Sequence, residues 1–252
     1  MERYEGNPVQ RLRARVIASL IDPVVDSILD VGCGNGFVTR RLRARKRVVG
    51  LDPSEVALAH FDGETVLGTS DALPFEDGEF DAVVCTEVLE HLSDEVFNKT
   101  VRELSRVAKQ YIVIGVPYRQ DLREGMTRCA RCGCRYHVDL HQRSFQGPEE
   151  LEAAIPRFRQ QVLTLIGERS QIKSRLFRAI RYTALGARAY SSLAVCPSCK
   201  FSCTPTKAHS FAPRTLEWLL DGLAWRMPSR TLPIWMIVLL ALADASPGPQ
   251  HP

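Results

Sequence analysis

The stretch Asp30-Val31-Gly32-Cys33-Gly34-Asn35-Gly36 constrains this chain more than any other feature. It follows a short apolar segment, Ser27–Val31, that reads as a strand, and it precedes 37–45, which reads as a helix. Alternate glycines let the backbone take positive φ and let a ligand approach closely. The helix start beyond them offers unpaired N–H groups. A dinucleotide fingerprint would need glycine at 37 or 39, where Phe37 and Thr39 stand, and no GK[ST] follows for a P-loop.

Strand-like and helix-like segments then alternate, which predicts a parallel sheet with helices on its faces. Strands are expected at 47–51, 64–67, 80–85 and 111–116, with a short helix after Pro53 and an amphipathic helix over 94–109. Beyond Pro117 the regularity fails in a polar segment rich in Cys, His and Arg. Pro148 opens a helix over 149–155, a strand is expected at 158–166, and helices at 173–190 and 213–225. The segment 233–242 is apolar on both faces and reads as a buried strand, and 245–252 as a disordered tail.

Composition sets outer limits. At 252 residues, 45% hydrophobic and 25% charged, the chain can bury a core without disulfide staples. The longest apolar run, Ile234 to Ala243, is half of what a membrane-spanning helix needs. The first residues, Met1-Glu2-Arg3-Tyr4-Glu5, lack a signal-peptide pattern, so a cytoplasmic location is expected, where paired cysteines read as metal or redox sites. The net charge of +4 is mild but uneven: Pro156 to Tyr190 holds eight Lys and Arg and one acid, Glu168.

Asp52 ends the second strand, where a carboxylate can accept hydrogen bonds from two ribose hydroxyls. Asp71 follows the third strand, where it could take an adenine amino N–H. An adenosine ligand without a pyrophosphate suits this set better than a dinucleotide. The bland alternative is a tight turn and a helix cap with no ligand.

The segments ILDVGCGNG (28–36), VVGLDPS (48–54), SDALPFEDGEFDAVVCTEVLEHL (70–92) and YIVIGVP (111–117) resemble, in order, the motifs of class I S-adenosylmethionine (SAM)-dependent methyltransferases of the bacterial type 11/12 kind. The resemblance implies an α/β, Rossmann-like fold: a seven-stranded mixed sheet of order 3-2-1-4-5-7-6 with an antiparallel last strand. It also implies that Asp30, Gly32, Cys33, Gly34 and Gly36 hold the methionine part of SAM. Asp52 with Pro53 would hold the ribose, Asp71 with Ala72 the adenine edge, and Glu87 would join the cofactor set.

Glu87, Glu90 and His91 follow the fourth strand, at the sheet edge where open α/β folds bind ligands. On a helix they would share one face. Two carboxylates and an imidazole so placed could pair as acid and base, or bind a second divalent metal that lowers an acceptor hydroxyl's pKa. The ExxEH pattern resembles small-RNA 2′-O-methyltransferases and ubiquinone-pathway O-methyltransferases. In the RNA enzymes a later histidine completes a metal site, and His141 or His137 lies in the comparable region here. The alternative is a plain post-strand segment with Glu90 and His91 as caps.

Cys129-Ala130-Arg131-Cys132-Gly133-Cys134 and Cys196-Pro197-Ser198-Cys199 are two CxxC knuckles. Two knuckles supply the four thiolates of a structural zinc site at Cys129, Cys132, Cys196 and Cys199. In the proposed fold both leave from the carboxyl edge, so a zinc-bound insertion over that edge is expected, with Cys134 and Cys203 as spares. Cys33 and Cys85 read as packing thiols. The 136–145 segment with the preceding CxxCG also looks like a group of bacterial methyltransferases with CxxCG…H…RSF, which tilts the acceptor toward a small molecule or glycan.

Lys173, Arg175, Arg178, Arg181 and Arg188 could form a positive face for phosphate, nucleic acid or anionic lipid, or be a solvated helix face. The expected division is an N-terminal helical segment (1–26), a SAM-binding core (27–117), a first Cys-rich insertion (118–147), a core helix and strand (148–166), a basic helix with the second insertion (167–212), a final helix and strand (213–244), and the tail. The expected function is O-methylation of a small-molecule or glycan-type acceptor. The alternatives are an RNA methyltransferase gripping substrate through its zinc module, or a non-catalytic SAM-fold binding protein.

Overall fold

The computed structural model describes residues 6–42, 47–129, 131–185, 195–202 and 214–243. Cys203, Arg188 and the tail from 245 lie outside them. The chain divides into two compact units: 1–118, 145–167 and 234–252 form the first, and 119–144 with 168–233 form the second. The helix after residue 213 thus falls in a different unit from the last strand.

The first unit is a seven-stranded sheet. Its strands are β1 (Ser27–Val31), β2 (Arg47–Asp52), β3 (Glu64–Leu67), β4 (Phe80–Thr86), β5 (Ala108–Pro117), β8 (Phe158–Ile166) and β11 (Trp235–Leu242). The order is β3-β2-β1-β4-β5-β11-β8, with β11 antiparallel to both neighbours and the pairs from β3 to β5 parallel. This is the expected class I order and orientation.

The inner strands are apolar runs because both faces are covered. Alternate residues serve two cores. Leu29, Val31, Val83, Cys85, Ile112 and Ile114 face α3 (Asp94–Val107) and α4 (Glu149–Ala154). Ile28, Ala82, Val84, Val113 and Ile237 face α1 (Pro8–Leu20) and the segment after the glycine turn. Helix α3 begins at Ser93, whose hydroxyl accepts the Val96 N–H, and buries Phe97, Val101 and Leu104 at helical spacing. Each such side chain contributes roughly 1.5–3 kcal/mol on burial. Helix α1 starts at Asn7 with Pro8 in the first turn and buries Ala14 and Ile17.

Two sequence expectations need correction here. The helix expected over 37–45 is only a single 3₁₀ turn, Thr39–Arg41, with 43–46 outside the described residues. Here the Thr39 hydroxyl reaches back to Asp30, and Phe37, Val38 and Leu42 are drawn into the core, which favours the tighter turn. Helix α3 also stops at Val107 rather than 109, because Ala108 already pairs with Phe80 at the start of β5. The short helix after Pro53 is α2 (Glu55–Leu58), capped by Ser54.

The second unit contains two small antiparallel pairs that the sequence pattern did not announce. One joins β6 (Met126–Arg128) to β7 (Arg135–His137), and the other β9 (Arg169–Ile172) to β10 (Ser229–Leu232). Between β9 and β10 the chain forms α5 (Arg175–Leu185) and α6 (Arg214–Arg226). Of the two readings of the basic stretch, an open positive face or a solvated helix face, neither holds for every residue. Arg178 is buried against Asp121 at 3.0 Å, and Arg181 reaches Asp221 at 3.2 Å. Lys173 and Arg175 remain exposed. Among the described residues no helix is long and apolar enough to cross a membrane.

Candidate active site

The glycine turn is held by the neighbouring strand. The N–H groups of Gly32 and Cys33 donate to the Leu51 carbonyl at 2.7 and 3.1 Å, and Gly36 N–H closes on the Cys33 carbonyl at 2.9 Å. Gly32, Gly34 and Gly36 all have positive φ, +73°, +55° and +78°. A Cβ on Gly32 would lie 2.2 Å from Val88 Cγ2, and one on Gly36 2.9 Å from the Phe61 ring. A Cβ on Gly34 would meet nothing within 4 Å, so that glycine opens onto space.

Asp52 ties the turn to the end of β2. Its Oδ2 accepts the Gly34 N–H and its Oδ1 the Ser54 N–H, each at 2.9 Å. Each carboxylate oxygen keeps a lone pair for a hydroxyl donor. Asp71 sits in the loop after β3, which Arg106 pins by donating to the Leu73 and Phe75 carbonyls at 3.0 and 2.7 Å.

Two cavities in the first unit share Gly32 and Glu87 as walls. The larger, about 460 Å³, is lined by Asp52, Pro53, Asp71, Val88 and His91 among others. The smaller, about 170 Å³, is lined by Arg13, Asp30, Asn35 and Thr86. The structure therefore brings together Asp30, the glycine turn, Asp52, Pro53, Asp71, Glu87 and His91. Ala72, exposed, follows Asp71 with its N–H on the Thr69 carbonyl. Cys33 is buried, its thiol pushed up by burial and by the nearby Asp30 and Asp52 charges, consistent with a packing role.

Asp30 is buried, and burial raises its carboxyl to about 7 despite the Thr39 hydrogen bond. A buried acid poised there favours a cationic ligand, which would restore its charge. The open space at Gly34, the carboxylates at Asp52 and Asp71 and the poised Asp30 together fit the adenosyl sulfonium of SAM.

The segment after β4 is not the α-helix that would have set Glu87, Glu90 and His91 on one face. Glu87 takes a left-handed conformation (φ 59°), and only Leu89–His91 forms a 3₁₀ turn. The reason is visible in its contacts: Glu87 N–H donates to the Gly115 carbonyl, and its carboxylate meets Arg13 at 2.9 Å and Trp235 Nε1 at 3.1 Å. Arg13 also stacks over the Trp235 ring at 5.2 Å. Glu90 is 1% exposed, and among the described residues neither of its carboxyl oxygens has a hydrogen-bond partner. Burial first, then the Glu87 charge, pushes its carboxyl well above the usual range. His91 Nε2 stands 4.0 Å from Glu90 Oε1.

His137 and His141 belong to the second unit. Their rings stack at 4.8 Å, and His141 Nδ1 is 2.6 Å from Gln120 Oε1. Arg13 and Trp235 were not anticipated as site residues. Arg13 carried a signal: it is the cation at a core position of α1, in register with Gln10, Ala14 and Ile17.

In the second unit the two knuckles have the same backbone geometry. Gly133 N–H returns to the Cys129 carbonyl and Lys200 N–H to the Cys196 carbonyl, at 2.9 and 3.0 Å, with Gly133 and Lys200 both at positive φ. Cys129 N–H meets the Cys134 carbonyl, and Cys196 N–H the Phe201 carbonyl. Sulfurs of Cys129, Cys132, Cys196 and Cys199 lie within 4.8 Å of one another, with Cys129–Cys199 and Cys132–Cys196 at 3.6 Å. Four sulfurs at about 2.3 Å around one ion would be about 3.8 Å apart. Backbone N–H groups of Cys199 and Ser198 help bring the Cys196 thiol down to about 6, and those of Cys132 and Arg131 lower Cys129. Cys134 stands outside this group, its sulfur on the Arg135 carbonyl.

The sheet order is that of the class I SAM-dependent methyltransferase fold. Residues 29–113 match the methyltransferase domain family. The chain is 32% identical over 106 residues to demethylmenaquinone methyltransferase of Thermotoga maritima, covering 39% of this chain and 45% of that one. It is 32% identical over 114 residues to ubiquinone biosynthesis O-methyltransferase of Xanthomonas oryzae, covering 41% and 46%. The matched segment thus spans less than half of these relatives. Among solved structures, 1,6-didemethyltoxoflavin-N1-methyltransferase of Burkholderia thailandensis, bound to S-adenosylhomocysteine (SAH), superposes with TM-score 0.53 at 12% identity, covering 94% of this chain and 79% of that one. A Bacillus halodurans protein provisionally assigned as a methyltransferase gives TM-score 0.55 at 13% identity, covering 90% and 97%. Likenesses this distant establish the fold.

Proposed function

We propose that this protein transfers the SAM methyl group to an oxygen of a small-molecule or glycan-type acceptor. The observation that carries the reading is a pair of neighbouring cavities, sharing Gly32 and Glu87 as walls, that are lined by both the cofactor-type residues and His91. The ubiquinone biosynthesis O-methyltransferase of Xanthomonas oryzae supports an oxygen acceptor, while ajmaline N-methyltransferase of Rauvolfia serpentina, 32% identical over 95 residues, makes nitrogen the second reading.

Bound SAM supplies an electrophilic methyl on a positively charged sulfur. Asp52 would hold the ribose hydroxyls, Asp71 the adenine amino group, and Asp30 with the glycine turn the methionine end. Arg13, with Glu87, closes the smaller cavity. The acceptor oxygen forms the new bond to carbon, the carbon–sulfur bond breaks, and its electron pair stays on sulfur. Sulfur loses its charge in this step, so positioning matters more than a strong field. Burial and the Glu87 charge push the Glu90 carboxyl up, and His91, which lines the larger cavity, would take the acceptor proton. Cys129, Cys132, Cys196 and Cys199 would hold one zinc ion in a structural role, since four thiolates leave no open position.

The test supplies tritium-labelled SAM to a lysate with the pure protein. Label in small-molecule or glycan fractions supports the reading, label in RNA moves the acceptor to nucleic acid, and label in neither, with SAM bound, leaves a non-catalytic binder.

A further inference from the structure

The second unit exposes apolar side chains that a water-facing surface does not ordinarily carry together. Trp225 is 92% exposed, Trp218 75% and Leu176 73%, and Ile180, Leu219 and Leu223 add to them. All lie on α5 and α6. The tryptophans are seven positions apart, so they project from the same side of α6, two turns or about 10 Å apart. Leu176 and Ile180 lie one turn apart on α5.

The two helices run antiparallel. Strand β9 leads into α5 and α6 leads into β10, and these strands pair antiparallel. Lys173 N–H donates to the Pro228 carbonyl at 2.8 Å. Phe177 of α5 and Leu220 of α6 fill the seam between the helices. The exposed residues are therefore left over after the pair has buried its own core.

Charge points to the partner. Residues 119–144 and 168–233 contain 17 Lys and Arg against 6 Asp and Glu, a formal +11, while the rest of the chain contains 16 against 23, a formal −7. Asp221 on α6 is paired with Arg181. Lys173, Arg175, Arg226 and Arg230 are exposed at the shared end where the chain enters α5 and leaves α6.

We propose that the α5–α6 face docks on an anionic lipid surface, lying in its headgroup layer. An apolar helix face with tryptophans and a basic margin matches such a layer, where the indole body is buried and its N–H stays wet. Each cation near the surface adds electrostatic attraction that salt screens. The proposal does not depend on the acceptor being lipid, nor on SAM turnover.

The test exploits the tryptophan inventory: Trp218 and Trp225 are exposed, and the third, Trp235, is buried in the first unit. The full chain is mixed with vesicles of equal parts phosphatidylcholine and phosphatidylglycerol, and with phosphatidylcholine alone. The expected result is salt-sensitive cosedimentation with the anionic vesicles and a blue shift of tryptophan emission. Trp218→Ser with Trp225→Ser should lower vesicle affinity at least about tenfold with an unchanged melting temperature. Arg175→Gln with Arg226→Gln should weaken binding to the anionic vesicles. No cosedimentation with the anionic vesicles overturns the proposal. So does a blue shift that grows with protein concentration without lipid, which assigns the face to a second copy. Binding of a generic single-stranded RNA that the serine variants abolish, with vesicles left unbound, assigns it to nucleic acid instead.

Discussion

Replacing Gly34 with Ala should separate ligand binding from folding. Gly34 has φ +55°, and a Cβ there meets nothing within 4 Å. An alanine in the left-handed region costs roughly 1–2 kcal/mol and here adds no clash. For a chain of this size that lowers the melting temperature by roughly 2–8 °C. The open space is where the methionine end of SAM should lie against the backbone. A methyl group in it should cost at least a hundredfold in SAH affinity, about 2.7 kcal/mol. Gly32→Ala is the contrast: φ +73° with a Cβ 2.2 Å from Val88 Cγ2 inside the core. The conformational cost plus an overpacking cost of about 1–3 kcal/mol should take a large part of a typical 5–15 kcal/mol stability. The assay is a thermal melt of each variant with and without SAH, beside calorimetric titration. At a hundredfold excess over the parent's Kd, the ligand should stabilise the original protein by about 2.7 kcal/mol and Gly34→Ala by about 0.4 kcal/mol or less. A Gly34→Ala variant that binds SAH like the parent would refute the reasoning.

Asp30 should make SAM binding pH-dependent. Its folded-state carboxyl, near 7 against an ordinary 3.8, ionises at a cost to the unliganded fold, so its contribution to stability declines as pH rises from 3.8 through 7. A cationic ligand reverses that cost, so affinity should rise between pH 6 and 8, and Asp30→Asn should flatten the profile in a titration series. His91→Ala should leave the Kd for SAH unchanged and lower turnover by about a hundredfold or more in single-turnover assays. Metal analysis of the purified protein should find one zinc per chain, with X-ray absorption giving four sulfurs at about 2.3 Å, and Cys196→Ser should lose it. Arg178→Ala should cost about 3 kcal/mol in chemical denaturation, the low end for a broken buried pair, because Asp121 keeps Arg123 at 2.7 Å.

The sheet was legible because its strands are buried on both faces. Segments such as 82–85, inside Phe80–Thr86, and Trp235–Leu242 are continuous apolar runs with no competing helical period. The glycine turn was legible because positive φ at three alternate positions suits glycine alone. What followed Gly36 was misread, since local helix preference lost to the Asp30–Thr39 bond and three core contacts. Glu87 was misread for a similar reason: its backbone is turned left-handed by partners on α1, β5 and β11, none of them near it in sequence. The strands β6, β7, β9 and β10 are three or four residues each, too short for a period to register. The knuckles were legible as motifs, but Cys132 and Cys196 lie 64 positions apart, and only the fold brings their sulfurs to 3.6 Å.

The most direct test of the account is calorimetric titration of the purified chain with SAH at neutral pH. A saturating signal at one SAH per chain, absent from Gly34→Ala, is the expected result. A featureless titration at two temperatures, with protein shown to be folded by its melt, would contradict the account at its root.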